Sequence, residues 1–220
     1  MAQMTAVYML AVFCGVFHSA AAVPVTTVAP AVRSQQTVTE ALTASLQKTE
    51  LVLERTTTAL GTINTVHFSG TASYPDLSVT TLPSSEDIIK AEDIETSAME
   101  DSEVFQTLKS QLHIFERHLE AVKLDQLALE AADNTGEVEA VRRQVEEVHD
   151  KTKELQTSLA VTANALGHPL DNTNEHVDPG TATSEFYMTL RAYLTFRDYE
   201  IFLSHLSSVF AELEERESIP

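Results

Sequence analysis

The chain has 220 residues, with 33 Asp and Glu against 14 Lys and Arg, and the resulting formal charge of −19 disfavours phosphate backbones and anionic lipid headgroups as partners. An apolar content of 43% with only 6 glycines excludes a disordered chain and points to a helical globular protein. The single cysteine, Cys14, lies near the N-terminus, so no disulfide framework is available downstream of it.

Residues 1–17 carry no charged side chain, and Ala6 to Phe17 is an almost unbroken apolar run. Ala20-Ala21-Ala22 follows as a small-x-small pattern, so a signal peptide over 1–22, cut between Ala22 and Val23, is expected. The competing reading is a membrane anchor, but the run is shorter than the ~20 residues a spanning helix needs. The remaining chain is then expected to be secreted and extracellular, with no membrane insertion. It carries no cysteine and no Asn-x-Ser/Thr sequon, so its stability rests on core packing alone.

Residues 23–36, rich in Val, Thr, Pro and Ala, read as a flexible leader to a four-helix domain over 37–216. The first helix is expected at about 37–63, where Leu42, Leu46, Thr49, Leu53, Thr56, Leu60 and Ile63 recur at alternating steps of four and three. Gly61 weakens its last turn and Asn64 ends it. Residues 65–98 lose the period and collect Gly70, Pro75 and Pro83, which predicts a long connection with one short turn near 85–93. A second helix, about 101–132, carries the stripe Leu108, Gln111, Phe115, Leu119, Val122, Gln126 and Leu129, and Asp133-Asn134-Thr135-Gly136 ends it.

The third helix, about 137–166, is the most regular, from Val138, Val141, Val145 and Val148 through Thr152 to Leu166. Gly167 and Pro169 supply the stop. After a polar loop, Ser184 is placed to cap a fourth helix over 184–214. Its apolar arc is the widest: Phe186, Leu190, Tyr193, Leu194, Phe196, Ile201, Phe202, Leu206, Val209 and Leu213.

Reach then sets the topology. A helix of ~28 residues is ~42 Å long, and a chain returning to run parallel to its predecessor needs ~13 extended residues or more. The short second link makes helices two and three antiparallel, whereas the first and third links are long enough for full-length returns. The expected fold is all-α: a long-chain four-helix bundle, up-up-down-down, with two long crossover loops.

Little in the chain suggests catalysis. No Gly-x-Ser-x-Gly, no phosphate-binding Gly-rich loop and no cysteine beyond Cys14 occur. A di-metal bundle site needs two Glu-x-x-His pairs, and only Glu146 with His149 fits, both expected at the edge of the core or in solvent. His113 and His118 are five apart, the wrong spacing for one helical face. No enzyme activity, no metal and no cofactor is expected.

The stretch from Phe186 to Leu213, FYMTLRAYLTFRDYEIFLSHLSSVFAEL, resembles the last helix of the interleukin-6 family of long-chain four-helix cytokines, in its ciliary neurotrophic factor/cardiotrophin/leukaemia inhibitory factor-like branch. The helix lengths, the scarcity of cysteine, and a first crossover carrying Pro75-Asp76-Leu77 and Leu82-Pro83 agree with it. The likeness extends over the chain in architecture and over the fourth helix in residue detail. It implies a monomer that crosslinks class I cytokine receptors, including the family's shared signal-transducing chain.

The branch opens its last helix with Phe-x-x-Lys. Phe186 matches, and Thr189 stands where the family has Lys, a departure that bears on receptor choice. Phe186 reads equally as a receptor anchor or as a plug at the end of the core. The resemblance implies three receptor surfaces. One is the outer face of helices one and three around Glu50, Glu54, Arg143 and Glu147. A second joins the start of helix four to the end of the first crossover, and a third joins the end of helix four to the earlier part of that crossover. Ordinary solvated helix faces are the alternative for each. Two other classes compete with the cytokine reading: a secreted lipid-carrying protein of apolipoprotein type, which would also show amphipathic helices without cysteine, and an elongated coiled coil.

Overall fold

A computed structural model describes residues 30–96, 99–133, 135–171, 173 and 176–218, with side chains from Thr37 onward. The expected cleavage point at Ala22 and Val23 lies outside the described residues. The elements are α1 (Pro30–Phe68), α2 (Ala91–Glu95), α3 (Asp101–Ala132), α4 (Gly136–Ala165) and α5 (Glu185–Ser218). None of the described helices is long and apolar enough to cross a membrane.

The direction of each long helix follows from its cross-links. Ser45 meets Ser158 and Thr162, and Arg55 meets Glu147, so α1 and α4 run antiparallel. Thr57 bonds Glu200 while Thr43, about four turns earlier, bonds Glu214, so α1 and α5 are antiparallel too. Arg142 pairs with Glu130, and His149 lies against Glu116, which opposes α4 to α3. Arg191 pairs with Asp125 and Arg216 with Asp101, which opposes α5 to α3. Hence α1 and α3 are parallel, α4 and α5 are parallel, and each pair sits on a diagonal. The bundle is up-up-down-down, with long crossovers over 69–100 and 166–184 and a short link at 133–135.

α1 is longer than the stripe predicts at both ends. It starts at Pro30, inside the expected leader, where proline suits a first turn that needs no N–H. It continues past Gly61 because Ile63 is fully buried and Val66 and Phe68 pack on the core, which outweighs the ~1 kcal/mol a helical glycine costs. The turn comes at Ser69 and Gly70, both with positive φ, and Asn64, the expected stop, instead accepts Ala72 N–H at 2.9 Å through its side chain. The centre of the stripe is also rotated: Ser45, Val52 and Ala59 are fully or almost fully buried, while Leu46, Leu53 and Leu60 flank them.

α4 ends as predicted. Gly167 (φ 85°) follows the last turn, its N–H reaching Asn164 O at 3.1 Å, and His168 N–H reaches Ala163 O at 2.8 Å, the pattern that satisfies the final carbonyls. The core centres on Phe105, Phe115, Phe196, Tyr199, Phe202 and Phe210, all fully buried. Phe115 sits 4.9 Å from Tyr199 and 5.0 Å from Phe202, ring centre to ring centre. Each such side chain contributes roughly 2–3 kcal/mol by leaving water. Against this aromatic half, the α1–α4 seam is small and polar, with Ser45, Thr49, Ser158 and Thr162 buried and mutually hydrogen-bonded or bonded to backbone carbonyls.

Candidate functional site

Phe186 opens α5 in the first turn, one residue after Glu185. Ser184 caps that turn, its Oγ accepting from Tyr187 N–H at 3.4 Å. Phe186 is 55% exposed and Tyr187 59% exposed, and their rings meet edge to face at 5.7 Å. The reading of Phe186 as a core plug is therefore corrected: its ring faces solvent. Tyr187 was missed, because adjacent side chains can both enter a core, as Phe202 with Leu203 and Val209 with Phe210 do farther along α5, and the sequence does not show which neighbours stay outside.

Thr189 is buried, and its hydroxyl donates to Phe186 O at 3.0 Å, which braces the first turn. The structure separates the two residues that the resemblance joined. Phe186 is presented and Thr189 is withdrawn.

Glu50, Glu54, Arg143 and Glu147 are all exposed, on two helices that pack side by side. Arg55 spans the seam to Glu147 at 3.2 Å, and Arg143 pairs along its own helix with Glu139. These exposed pairs add ~0–1 kcal/mol each and leave Glu50 and Glu54 as an acidic strip.

The crossover pairings are the reverse of those expected. Because α5 descends while the first crossover descends beside it from the end of α1, the early crossover meets the first half of α5. Tyr193 Oη donates to Ala72 O at 3.2 Å, and Arg197 donates to Tyr74 O at 2.6 Å and Leu77 O at 2.8 Å. Phe68, Tyr74 and Tyr193 close an edge-to-face trio, each pair of ring centres 5.7–5.9 Å apart. The late crossover, through α2, packs on α5, and Arg216 near the end of α5 reaches Asp101 at the start of α3. The chain directions alone dictate this pairing.

Between residues 75–88 and α5 lies a cavity of about 550 Å³, bordered by Arg197, Asp198 and Ile201. Leu77 and Ile201, 45% and 40% exposed, stand among its lining residues. Burial pushes the Asp198 carboxyl up from its ordinary value, and the Arg197 guanidinium opposes that shift.

The second crossover is held from α5 by Arg191, which donates to Gly180 O at 2.8 Å and lies 2.5–2.7 Å from Asp125 Oδ2. Desolvation raises the Asp125 carboxyl, with Arg191 pulling it back. His118 is fully buried beside this pair, with Nε2 2.9 Å from Thr81 Oγ1. Burial, then repulsion from Arg191, pushes its imidazole down to about 4.

His149 is buried, not at the edge, with Nε2 3.4 Å from Glu116, whereas Glu146 turns aside to Arg142 and Lys123. The Glu146–His149 pair is thus split by the helix. Among the described residues no group of His, Cys, Asp and Glu is arranged to hold a metal ion.

No family model, curated protein or solved structure matches the chain.

Proposed function

We propose that the protein is a secreted helical cytokine that binds and crosslinks class I cytokine receptors of the interleukin-6 family type, triggering intracellular kinase signalling. The observation that carries this reading is the solvent-facing pair Phe186–Tyr187 at the capped start of α5. Two rigid aromatics held outward on a helix terminus lose solvent-exposed apolar area only when a partner covers them, and such residues dominate protein–protein binding energy.

The bundle order supports the same reading, since up-up-down-down with two long crossovers is the arrangement of growth-hormone-like ligands. A lipid carrier would need apolar helix faces open to lipid, and here those faces close on one another. The acidic strip of Glu50 and Glu54 suits a basic receptor surface. In this reading the ligand is a monomer that acts through its surface, without cofactor or catalysis.

The test is binding of the chain from Val23 onward to a panel of cytokine-receptor ectodomains, with phosphorylation read in cells bearing the same receptors. Binding and phosphorylation through the shared signal-transducing chain or a related receptor is the expected result. Silence across the panel overturns the proposal.

A further inference from the structure

His118 is a buried titratable group between α3 and the first crossover that the proposed function does not use. It is fully buried, one ring nitrogen faces the Thr81 hydroxyl at 2.9 Å, and the other, Nδ1, has no hydrogen-bond partner. A neutral imidazole tolerates this arrangement, because a bare lone pair costs less than a bare donor. A protonated one does not: it would carry an unpaired N–H into the interior together with a charge.

The surroundings sharpen the penalty. Arg191 of α5 adds a like charge, only partly offset by its partner Asp125 two turns along α3. Thr81, facing from the crossover, is uncharged. Arg197 and Asp198 serve the crossover higher up, at Tyr74 and Leu77. His67, the other histidine whose proton affinity is lowered by burial, faces Gln126 at 3.2 Å and belongs to the end of α1.

The segment that Thr81 belongs to is poised to move. Residues 78–80 and 82–85 line the 550 Å³ cavity on one side, while Leu82 and Val79 rest on the core on the other, so the strap is held by two apolar side chains and the Thr81 contact, and local opening is cheapest where apolar contacts are few.

We propose that His118 and Thr81 form an acid-operated latch, in which protonation of the buried imidazole releases residues 78–83 of the first crossover while the four long helices stay packed. The proton is accepted at Nδ1 from solvent once the strap lifts, and the charged ring then remains hydrated. No other bond is made or broken. The inference stands whether or not the protein signals through receptors. Asp125 works in the opposite direction, since its raised carboxyl is more readily protonated in the closed form, and this places the useful window above the acid range where Asp125 titrates.

With a free imidazole near ~6.5 and the buried one at about 4, the opening constant of the strap rises roughly 20-fold between neutral pH and pH ~5. Amide hydrogen exchange of the full chain, corrected for intrinsic rates, reads this directly at residues 79–82. The expected result is a loss of protection of that size at the strap, with α3 and α5 unchanged, and its absence in His118→Gln, which keeps a neutral donor for Thr81. A wild-type change under ~3-fold, or an equal acid opening in His118→Gln, overturns the latch. Should the variant fail to fold, titration of the His118 ring by NMR in the wild-type protein decides. Proton uptake below the ordinary histidine range and in step with strap exchange supports the latch, and uptake at the ordinary value with the strap still protected overturns it.

Discussion

The hydroxyl of Tyr199 meets the hydroxyl of Thr152 at 2.8 Å, joining α5 to α4 across a diagonal of the bundle. Thr152 also bonds the Val148 carbonyl, so loss of the phenol would leave it one partner. Tyr199→Phe should therefore cost only ~1 kcal/mol, whereas Tyr199→Ala, which also empties a fully buried ring, should cost ~3–5 kcal/mol in urea unfolding. Burial holds the phenol protonated far above the usual tyrosine range. Because the folded value is raised, its contribution is complete below pH ~10 and is lost as pH rises beyond that, and tyrosinate absorbance should show one tyrosine that ionises only on unfolding.

Arg191 and Asp125 are the most enclosed pair of an arginine or lysine with a carboxylate among the described residues, with side chains 12% and 8% exposed. Asp125→Ala would strand a guanidinium inside the protein and should destabilise it by ~3–5 kcal/mol, while Asp125→Leu combined with Arg191→Met should recover most of that loss. Equal instability of the single and double variants would refute the charge-stranding argument.

Phe186→Ala and Tyr187→Ala should leave the thermal midpoint almost unmoved, because both rings are more than half exposed. If the aromatic pair is a receptor anchor, each change should weaken binding ~10-fold or more. A large loss of stability with intact binding would reverse the assignment.

Gly167 adopts φ 85° at the end of α4, and a Cβ there would meet nothing within 4 Å. Gly167→Ala should accordingly cost ~1 kcal/mol from backbone strain alone, with no repacking seen by NMR shifts beyond the turn. The measured midpoint in urea checks it.

Global stability should fall on mild acidification. His118 and His67 both resist protonation in the folded state, so the unfolded chain gains protons first as pH drops below ~6.5, and for His118 the loss is complete near its folded value of about 4. The His118 share is on the order of 3 kcal/mol. Unfolding midpoints at pH 7.5, 5.5 and 4.5 should decline for wild type and decline less for His118→Gln.

Helix periodicity located the four long helices because each buried stripe repeats for many turns, and link length fixed their order because a chain cannot span a helix with three residues. The stripe of α1 was read correctly at Leu42, Thr49, Thr56 and Ile63, all fully buried, and displaced between them. Ser45, Val52 and Ala59 fill the alternate positions, whereas hydrophobicity alone favours the flanking Leu46, Leu53 and Leu60. The extra length of α1 is decided by Ile63 and Phe68 finding partners far along the chain, which no local propensity reports. At the candidate site Phe186 was legible as an aromatic at the helix start, but its exposure and its pairing with Tyr187 were not. The burial of Thr189 and His149 was not legible either, since a polar side chain on a stripe edge turns in or out according to a partner on another helix. The clasps made by Arg191 and Arg197 on carbonyls depend on loop backbone, which has no period to read.

The shortest link in the fold, residues 133–135, and the pairing of Thr43 with Glu214 have opposite meanings for the birth of the protein. α3 and α4 are neighbours in sequence and can zip together as a hairpin soon after synthesis, since closing a small loop costs little entropy. α1 emerges first, yet both helices that cover it, α4 and α5, are made last. During translation its apolar stripe therefore waits for α4, which begins at Gly136, and is covered on its second side only once α5 begins at Glu185. A chain stalled before α5 should stay protease-sensitive in α1 even where α3 and α4 are already protected, and release of the last helix should close both ends of the sequence in one step.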